Sequence, residues 1–160
     1  MLTEKLRQGL LKRGSRMISK RRVLFLCTGN SARSQMAEGL VNHFLGDEWE
    51  AFSAGTHPTG SVHPLAIQVM SELGIDISHH RSKPIDEFRN TSFDLVVTVC
   101  DNAAEQCPIW LGSGRQLHIG FPDPARASGS SEEQLATFRE VRDAIRQKVL
   151  ESLKMMQGDR

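Results

Sequence analysis

Features that would place a protein outside the cytoplasm are rare or absent in this sequence. It has three cysteines among 160 residues, an odd number and too few for a disulfide framework. No apolar run approaches the ~20 residues needed to span a bilayer. The N-terminal segment also lacks the apolar centre of a secretory signal peptide. We therefore expect a cytoplasmic protein whose thiols are reduced at rest.

Positive charge is concentrated near the N-terminus. Residues 1–22 hold eight Lys and Arg residues and one Glu, although the net charge of the whole chain is +1. Such a segment can bind nucleic acid or an anionic membrane, but no aromatic residue stands between its charges for base stacking. We predict that residues 1–21 form a flexible basic extension with neither partner. Residues 22–155 are predicted to form a single domain.

Hydrophobic patterning predicts the element order β-α-β-α-β-(α)-β-α. Strands are predicted from Val23 to the Cys27 loop, over Trp49–Gly55, over Phe93–Val99 and over Leu117–Phe121. Helices are predicted after the Cys27 loop, from Pro64 to Gly74, as a short helix that begins near Pro84, and from Ser130 or Ser131 to Leu153. This order predicts an α/β fold, a doubly wound four-stranded parallel sheet flanked by helices. In such sheets ligands bind beyond the carboxyl ends of the strands.

The sequence after the first predicted strand reads CTGNSARS, from Cys27 to Ser34. A loop from a strand into a helix N-terminus directs backbone N–H groups and the positive end of the helix dipole at one point, which favours anion binding. Gly29 allows the backbone to approach a ligand closely, and the planar guanidinium of Arg33 can bind two oxygens of an anion. The same positive field favours the thiolate form of Cys27, and Ser34 can donate a hydroxyl to it. The loop therefore predicts a cysteine nucleophile that attacks a tetrahedral oxyanion.

A carboxyl group follows the fourth predicted strand. Asp123 lies in the sequence Phe-Pro-Asp-Pro, where it can protonate an oxygen that leaves during thiolate attack. An Asp-Pro pair is also common in simple turns, so this second interpretation stays open.

The other two cysteines, Cys100 and Cys107, are seven positions apart. If residues 101–106 were helical, the pair would lie about 10 Å apart along the axis. A disulfide needs Cα atoms within about 7 Å, so the pair could form one only if this segment unwinds. Two unrelated thiols are the alternative. We predict no metal site, because no C-x-x-C is present and the six histidines are scattered.

The stretch from Cys27 to Gly39 resembles the phosphate-binding loop of low-molecular-weight tyrosine phosphatases, and more closely that of the arsenate reductases with the same fold. The resemblance continues through SAG at 53–55, GIDIS at 74–78, VTVCD at 97–101, CP at 107–108, DPA at 123–125 and FREVRD at 138–143. It implies a catalytic domain with its phosphate-binding loop after strand 1. The site residues that it implies are Cys27, Cys100, Cys107, Asp123, Arg33 and Ser34 for catalysis, and Thr28, Gly29, Asn30, Ser31, Ala32 and Arg33 for substrate binding.

The resemblance also implies a three-cysteine mechanism. Cys27 attacks arsenate, Asp123 protonates the departing oxygen, and Cys100 attacks Cys27 to release arsenite. Cys107 then attacks Cys100, and the resulting disulfide is reduced by thioredoxin or by glutathione and glutaredoxin. We expect no cofactor and a monomeric protein.

Two other functions are compatible with the same loop. A low-molecular-weight protein tyrosine phosphatase would act through a phosphocysteine at Cys27. The chain has no tyrosine, however, and Ala125-Arg126 stands after Asp-Pro where such phosphatases usually carry tyrosines. A non-enzymatic oxyanion-binding or redox-sensing module is the third hypothesis, although binding alone needs neither a thiolate nor Asp123.

Overall fold

The computed structural model describes residues 19–102 and 105–157, so most of the predicted basic extension lies outside the described residues. The strands are β1 (Arg21–Cys27), β2 (Trp49–Gly55), β3 (Leu95–Thr98) and β4 (Arg115–His118). The α-helices of the described ranges are α1 (Arg33–Phe44), α2 (Pro64–Ser71) and α3 (Ser131–Gln157), with 3-10 turns at Ile85–Phe88 and Pro124–Arg126. The predicted alternation of strands and helices is confirmed.

The four strands form one parallel sheet in the order β2-β1-β3-β4. Strand β1 is central, and its Val23 is in register with Ala51 on one side and Leu95 on the other. The chain runs from β1 to β2 on one side and then crosses to β3 on the other, which makes the carboxyl end of β1 the topological switch point. The predicted doubly wound α/β fold is therefore confirmed, with the Cys27 loop at the edge where sheets of this kind bind their ligands.

Both faces of β1 are buried, as its continuous apolar sequence predicts. On one face Phe25 packs in the main core with side chains of α1 and α3, such as Met36 and Phe138. On the other face Leu24 packs in a smaller cluster that includes Trp110. Since burial of each large apolar side chain contributes about 1.5–3 kcal/mol, this double burial anchors the strand that carries Cys27.

Strand β4 differs from its prediction. It covers Arg115–His118, whereas the sequence predicts Leu117–Phe121. The difference arises because β4 is an edge strand whose side chains are largely exposed, so its pattern is polar. The apolar residues that follow lie where the chain turns from the sheet towards Asp123.

Helix α3 begins with the predicted serine cap. The backbone N–H of Ser130 donates to Oε1 of Glu133 at 2.8 Å, and the N–H of Glu133 donates to Oγ of Ser130 at 3.2 Å. This reciprocal pair is a capping box. Within the described ranges, no helix combines the length and apolar character needed to cross a membrane.

Candidate active site

Cys27 ends β1 and faces a cavity of about 320 Å³ that Arg33 and Asp123 also line. Its Sγ lies 2.9 Å from Oγ of Ser34, in the first turn of α1. The Ser34 hydroxyl accepts a hydrogen bond from Nδ2 of Asn30 at 2.8 Å. Because that bond occupies the oxygen as an acceptor, the hydroxyl proton of Ser34 is available to the sulfur. A thiolate at Cys27 would therefore receive a directed O–H donor.

Asn30 is the residue that gives the loop its shape. It has a φ of 48°, in the left-handed region that Asn tolerates better than most residues. Its side chain is fully buried, and its Oδ1 accepts from the backbone N–H of Lys83 at 2.9 Å and from Nε2 of Gln35 at 3.0 Å. The same side chain donates to Ser34. Asn30 thus joins the loop to α1 and to the segment before the first 3-10 turn.

Backbone hydrogen bonds from a single neighbouring segment, residues 57–63, hold the loop. Its carbonyl oxygens accept backbone hydrogen bonds from residues 57–63, in the pairs His57 to Thr28, Thr59 to Gly29 and His63 to Ser31. A trans peptide places its N–H opposite its C=O, so the amide following each of these carbonyls points away from that segment. Helix α1 then begins after Ala32 with no side-chain cap and no acidic residue in its first turn. Such an N-terminus has unpaired N–H groups that favour an anion.

Arg33 is a buried cation between two carboxylates. Both of its terminal nitrogens bond to Glu105, and Nη1 also donates to the carbonyl oxygen of Phe121 at 3.2 Å. Its Nη2 lies 3.7 Å from Oδ2 of Asp123. Burial acts to lower the pKa of Arg33, but the bond to Glu105 and the charges of Cys27 and Asp123 raise it above its ordinary value. The guanidinium is therefore a fixed positive charge beside Cys27.

The contact between Glu105 and Arg33 is absent from the sequence prediction. Glu105 also accepts from Oγ1 of Thr28 at 3.0 Å and from the backbone N–H of Asp101 at 2.8 Å. Burial alone would raise the pKa of Glu105, but the hydrogen bonds from Arg33, Asp101 and Thr28 outweigh it and lower that pKa to about 2. The place of Glu105 between two cysteines was the only feature of the sequence that could have indicated this contact.

Asp123 stands at the rim of the cavity, where its Oδ1 caps the Pro124–Arg126 turn by accepting from the N–H of Ala125 at 3.0 Å. His63 lies on the same cavity and stacks on Phe138, with 4.7 Å between ring centroids. Burial lowers the pKa of His63, and the nearby Asp123 opposes this shift. His63 was also absent from the predicted site, because its place on the cavity and its contact with Phe138 depend on tertiary structure.

Cys100 and Cys107 are joined by a disulfide, with a Cα–Cα distance of 5.8 Å. The described residues of the segment between them (101, 102, 105 and 106) are not helical, so the pair avoids the helical separation of about 10 Å. Cys100 is fully buried and Cys107 is half-buried. Ligand atoms of His118 and of both cysteines lie within 4.8 Å of one another. The ring of His118 is fixed by a 2.7 Å hydrogen bond between Nδ1 and Oγ1 of Thr98.

The structure thus divides the predicted residues into two connected groups. The cavity is lined by Cys27, Gly29, Ser31, Ala32, Arg33 and Asp123. Asn30 and Ser34 support the loop from the protein interior, and Thr28 contacts Glu105. Cys100 and Cys107 bond to each other, and Glu105 connects their segment to the loop through Arg33.

Comparison with known proteins identifies related chains. Residues 22–160 match the family described as low molecular weight phosphotyrosine protein phosphatase. The chain is 48% identical over 132 residues to an arsenate reductase of Halalkalibacterium halodurans, covering 82% of this chain and 94% of that protein.

Solved structures show the same likeness. An arsenate reductase in the reduced state is 32% identical, with a TM-score of 0.69 and coverage of 85% of this chain and 98% of the other. A thioredoxin-dependent arsenate reductase of Corynebacterium glutamicum is 26% identical, with a TM-score of 0.66 and coverage of 99% of this chain and 73% of the other.

Proposed function

The chain belongs to the low molecular weight phosphotyrosine protein phosphatase family and, within it, to the arsenate reductases, and we propose that it reduces arsenate to arsenite through Cys27, Cys100 and Cys107. The observation that carries this proposal is the disulfide between Cys100 and Cys107, in a segment that Glu105 ties to the guanidinium of Arg33. A phosphatase needs the loop, but it does not need two further thiols that can pair beside it.

In the proposed reaction, the Cys27 thiolate attacks arsenic while the loop amides and Arg33 bind the remaining oxygens. Asp123, on the same cavity, protonates the departing oxygen. The Cys100 thiolate then attacks Sγ of Cys27, and the electron pair of the sulfur–arsenic bond leaves with arsenic as arsenite. Two thiolates are thereby oxidised to one disulfide while arsenic(V) is reduced to arsenic(III).

The last step regenerates the Cys27 thiolate. Cys107 attacks Cys100, the Cys27 thiolate leaves, and a disulfide remains between Cys100 and Cys107. An external dithiol must reduce this bond in each cycle. The thioredoxin-dependent relative from Corynebacterium glutamicum supports thioredoxin as the donor, and glutathione with glutaredoxin is the alternative. This cycle requires an environment that keeps thiols reduced, and we propose that this environment is the cytoplasm. We also propose that the protein acts as a monomer.

The decisive experiment maps disulfides after one turnover. The reduced protein is freed of reductant, incubated with arsenate or with buffer, alkylated, and analysed by mass spectrometry while arsenite is quantified. We expect one arsenite per protein and a bond between Cys100 and Cys107 that forms only with arsenate. Arsenate consumption without this bond would contradict the relay.

Two variants, each with one cysteine replaced by serine, establish the order of the steps. Cys107→Ser is expected to release one arsenite and to stop with Cys27 bonded to Cys100, whereas Cys27→Ser is expected to release none. Sustained turnover of Cys107→Ser with thioredoxin would show that the relay is wrong. Rapid hydrolysis of a phosphotyrosine substrate, without arsenite formation, would instead support the phosphatase alternative through a phosphocysteine at Cys27.

A further inference from the structure

One carboxylate links the disulfide segment to the oxyanion loop. Glu105 lies between Cys100 and Cys107, and its two oxygens reach both terminal nitrogens of Arg33. It also accepts from Thr28 within the loop. A fourth contact, from the N–H of Asp101, holds the carboxylate to its own segment.

This arrangement reduces the positive charge and the number of free N–H donors that Arg33 can offer to an oxyanion. Arg33 has five N–H donors, of which two bond to Glu105 and one bonds to Phe121. Nη2 also lies 3.7 Å from Oδ2 of Asp123, the second carboxylate. The side chains of Arg33 and Glu105 are only 4% and 14% exposed, so solvent and salt screen their pairing weakly. An oxyanion entering the loop would meet a guanidinium whose charge is already balanced.

The disulfide constrains the segment that carries Glu105. This segment is closed by the bond between Cys100 and Cys107, which brings the ends of the segment to a Cα–Cα distance of 5.8 Å. When the bond is reduced, this constraint is lost and the segment can move away from the loop. The carboxylate that neutralises Arg33 in the oxidised protein then need not stay there.

We propose that Glu105 is a positioning residue that lowers the oxyanion affinity of the Cys27 loop when Cys100 and Cys107 are oxidised. This inference rests on the proposed redox cycle and adds a control to it. An oxidised enzyme has no free thiol to resolve an adduct on Cys27, so arsenate bound at that stage would form a dead-end species. Glu105 keeps the loop in a low-affinity state until the disulfide has been reduced.

Thermodynamic linkage supplies a second consequence. If oxidation weakens oxyanion binding by some factor, oxyanion binding must favour the reduced protein by the same factor. A tenfold difference in affinity corresponds to about 30 mV in the midpoint potential of a two-electron couple. Saturating phosphate should therefore raise the potential of the pair, and removal of the Glu105 charge should remove most of this shift.

The test measures binding of inorganic phosphate, which cannot be reduced by thiols, to the full chain by calorimetry. Wild type, Glu105→Gln, Glu105→Asp and a control, Glu151→Gln on the exposed face of α3, are each prepared oxidised and reduced. We expect oxidised wild type to bind about tenfold more weakly than reduced wild type. Oxidised Glu105→Gln should recover most of this loss, Glu105→Asp should recover little, and Glu151→Gln should behave as wild type.

Equal phosphate affinities of oxidised and reduced wild type would overturn the proposal. Weaker binding by Glu105→Gln in both states would also overturn it, because Glu105 would then merely orient Arg33 for binding. The phosphate-induced change in midpoint potential gives an independent readout that a purely structural role would not move. None of these measurements uses arsenate turnover, so failure of the reductase proposal is distinguishable as a loss of arsenite formation alone.

Discussion

Replacement of Asn30 by alanine should strongly destabilise the protein. The variant loses the hydrogen bonds from Lys83 and Gln35 and the one to Ser34, and it leaves the buried N–H of Lys83 without its acceptor. An unsatisfied buried donor costs about 1–3 kcal/mol, and each further bond contributes about 1 kcal/mol. Holding alanine at a φ of 48° adds about 1 kcal/mol. The expected loss is therefore about 4–6 kcal/mol, a large share of the ~5–15 kcal/mol that stabilises a typical domain.

Two matched variants separate these contributions. Asn30→Gly adopts a positive φ without strain, so its loss of stability should be smaller than that of Asn30→Ala by about 1 kcal/mol. Asn90→Ala, at an exposed site, should change stability by less than about 0.5 kcal/mol. The free energy of unfolding is measured with urea in constant reductant, with tryptophan fluorescence as the signal. A loss below about 1 kcal/mol in Asn30→Ala would refute the argument that this side chain organises the loop.

Three further predictions concern other parts of the molecule. Gly55→Ala would place a methyl group 2.5 Å from the carbonyl oxygen of Thr28, so we expect at least tenfold weaker phosphate binding by the reduced protein, and unchanged affinity would contradict this contact. The pKa of Glu72 is lowered from 4.5 to about 2 by hydrogen bonds from two arginines of α3, and the bond from Arg139 has a larger effect than the bond from Arg142. The stability from Glu72 should therefore be fully present above about pH 4.5 and decline as the pH falls towards 2; after allowance for its exposure it is about 1 kcal/mol. The difference in unfolding free energy between wild type and Glu72→Gln should shrink over that range, and a constant difference would be inconsistent with this linkage. His118→Gln should slow reduction of the disulfide by dithiothreitol several-fold, because an imidazole near both sulfurs can donate a proton to the departing thiolate; an unchanged rate of reduction would exclude that role.

Local sequence patterns predicted the features that depend on neighbouring residues. The apolar run that ends at Cys27 is buried on both faces, and the serine cap of α3 is formed as its Ser-x-x-Glu pattern indicates. Strand β4 was misplaced because an edge strand needs no apolar pattern, since backbone hydrogen bonds to β3 suffice to hold it. Periodicity is therefore informative where side chains are buried and weak at the edge of the sheet.

Contacts between distant parts of the chain could not be predicted in this way. The pair of Arg33 and Glu105 spans 72 positions, and it depends on the conformation that the disulfide segment adopts. Nothing in the local composition distinguishes Glu105 from a solvated surface carboxylate. The same is true of His118, because its proximity to Cys100 follows from the alignment of β3 with β4.

The difference between a phosphatase and a reductase on this fold lies in what attacks the Cys27 adduct. Water attacks phosphorus and leaves the sulfur unchanged, whereas a second thiolate attacks the sulfur and transfers an electron pair to arsenic. In the mechanism we propose, the loop serves both reactions equally, since it binds only the tetrahedral oxyanion. The choice between the reactions then rests on the segment from Cys100 to Cys107, which supplies the thiols. Through Glu105 this segment also contacts Arg33, the cation that we propose binds the substrate. The segment that makes the proposed chemistry a reduction is therefore also placed to sense whether the reduction has occurred.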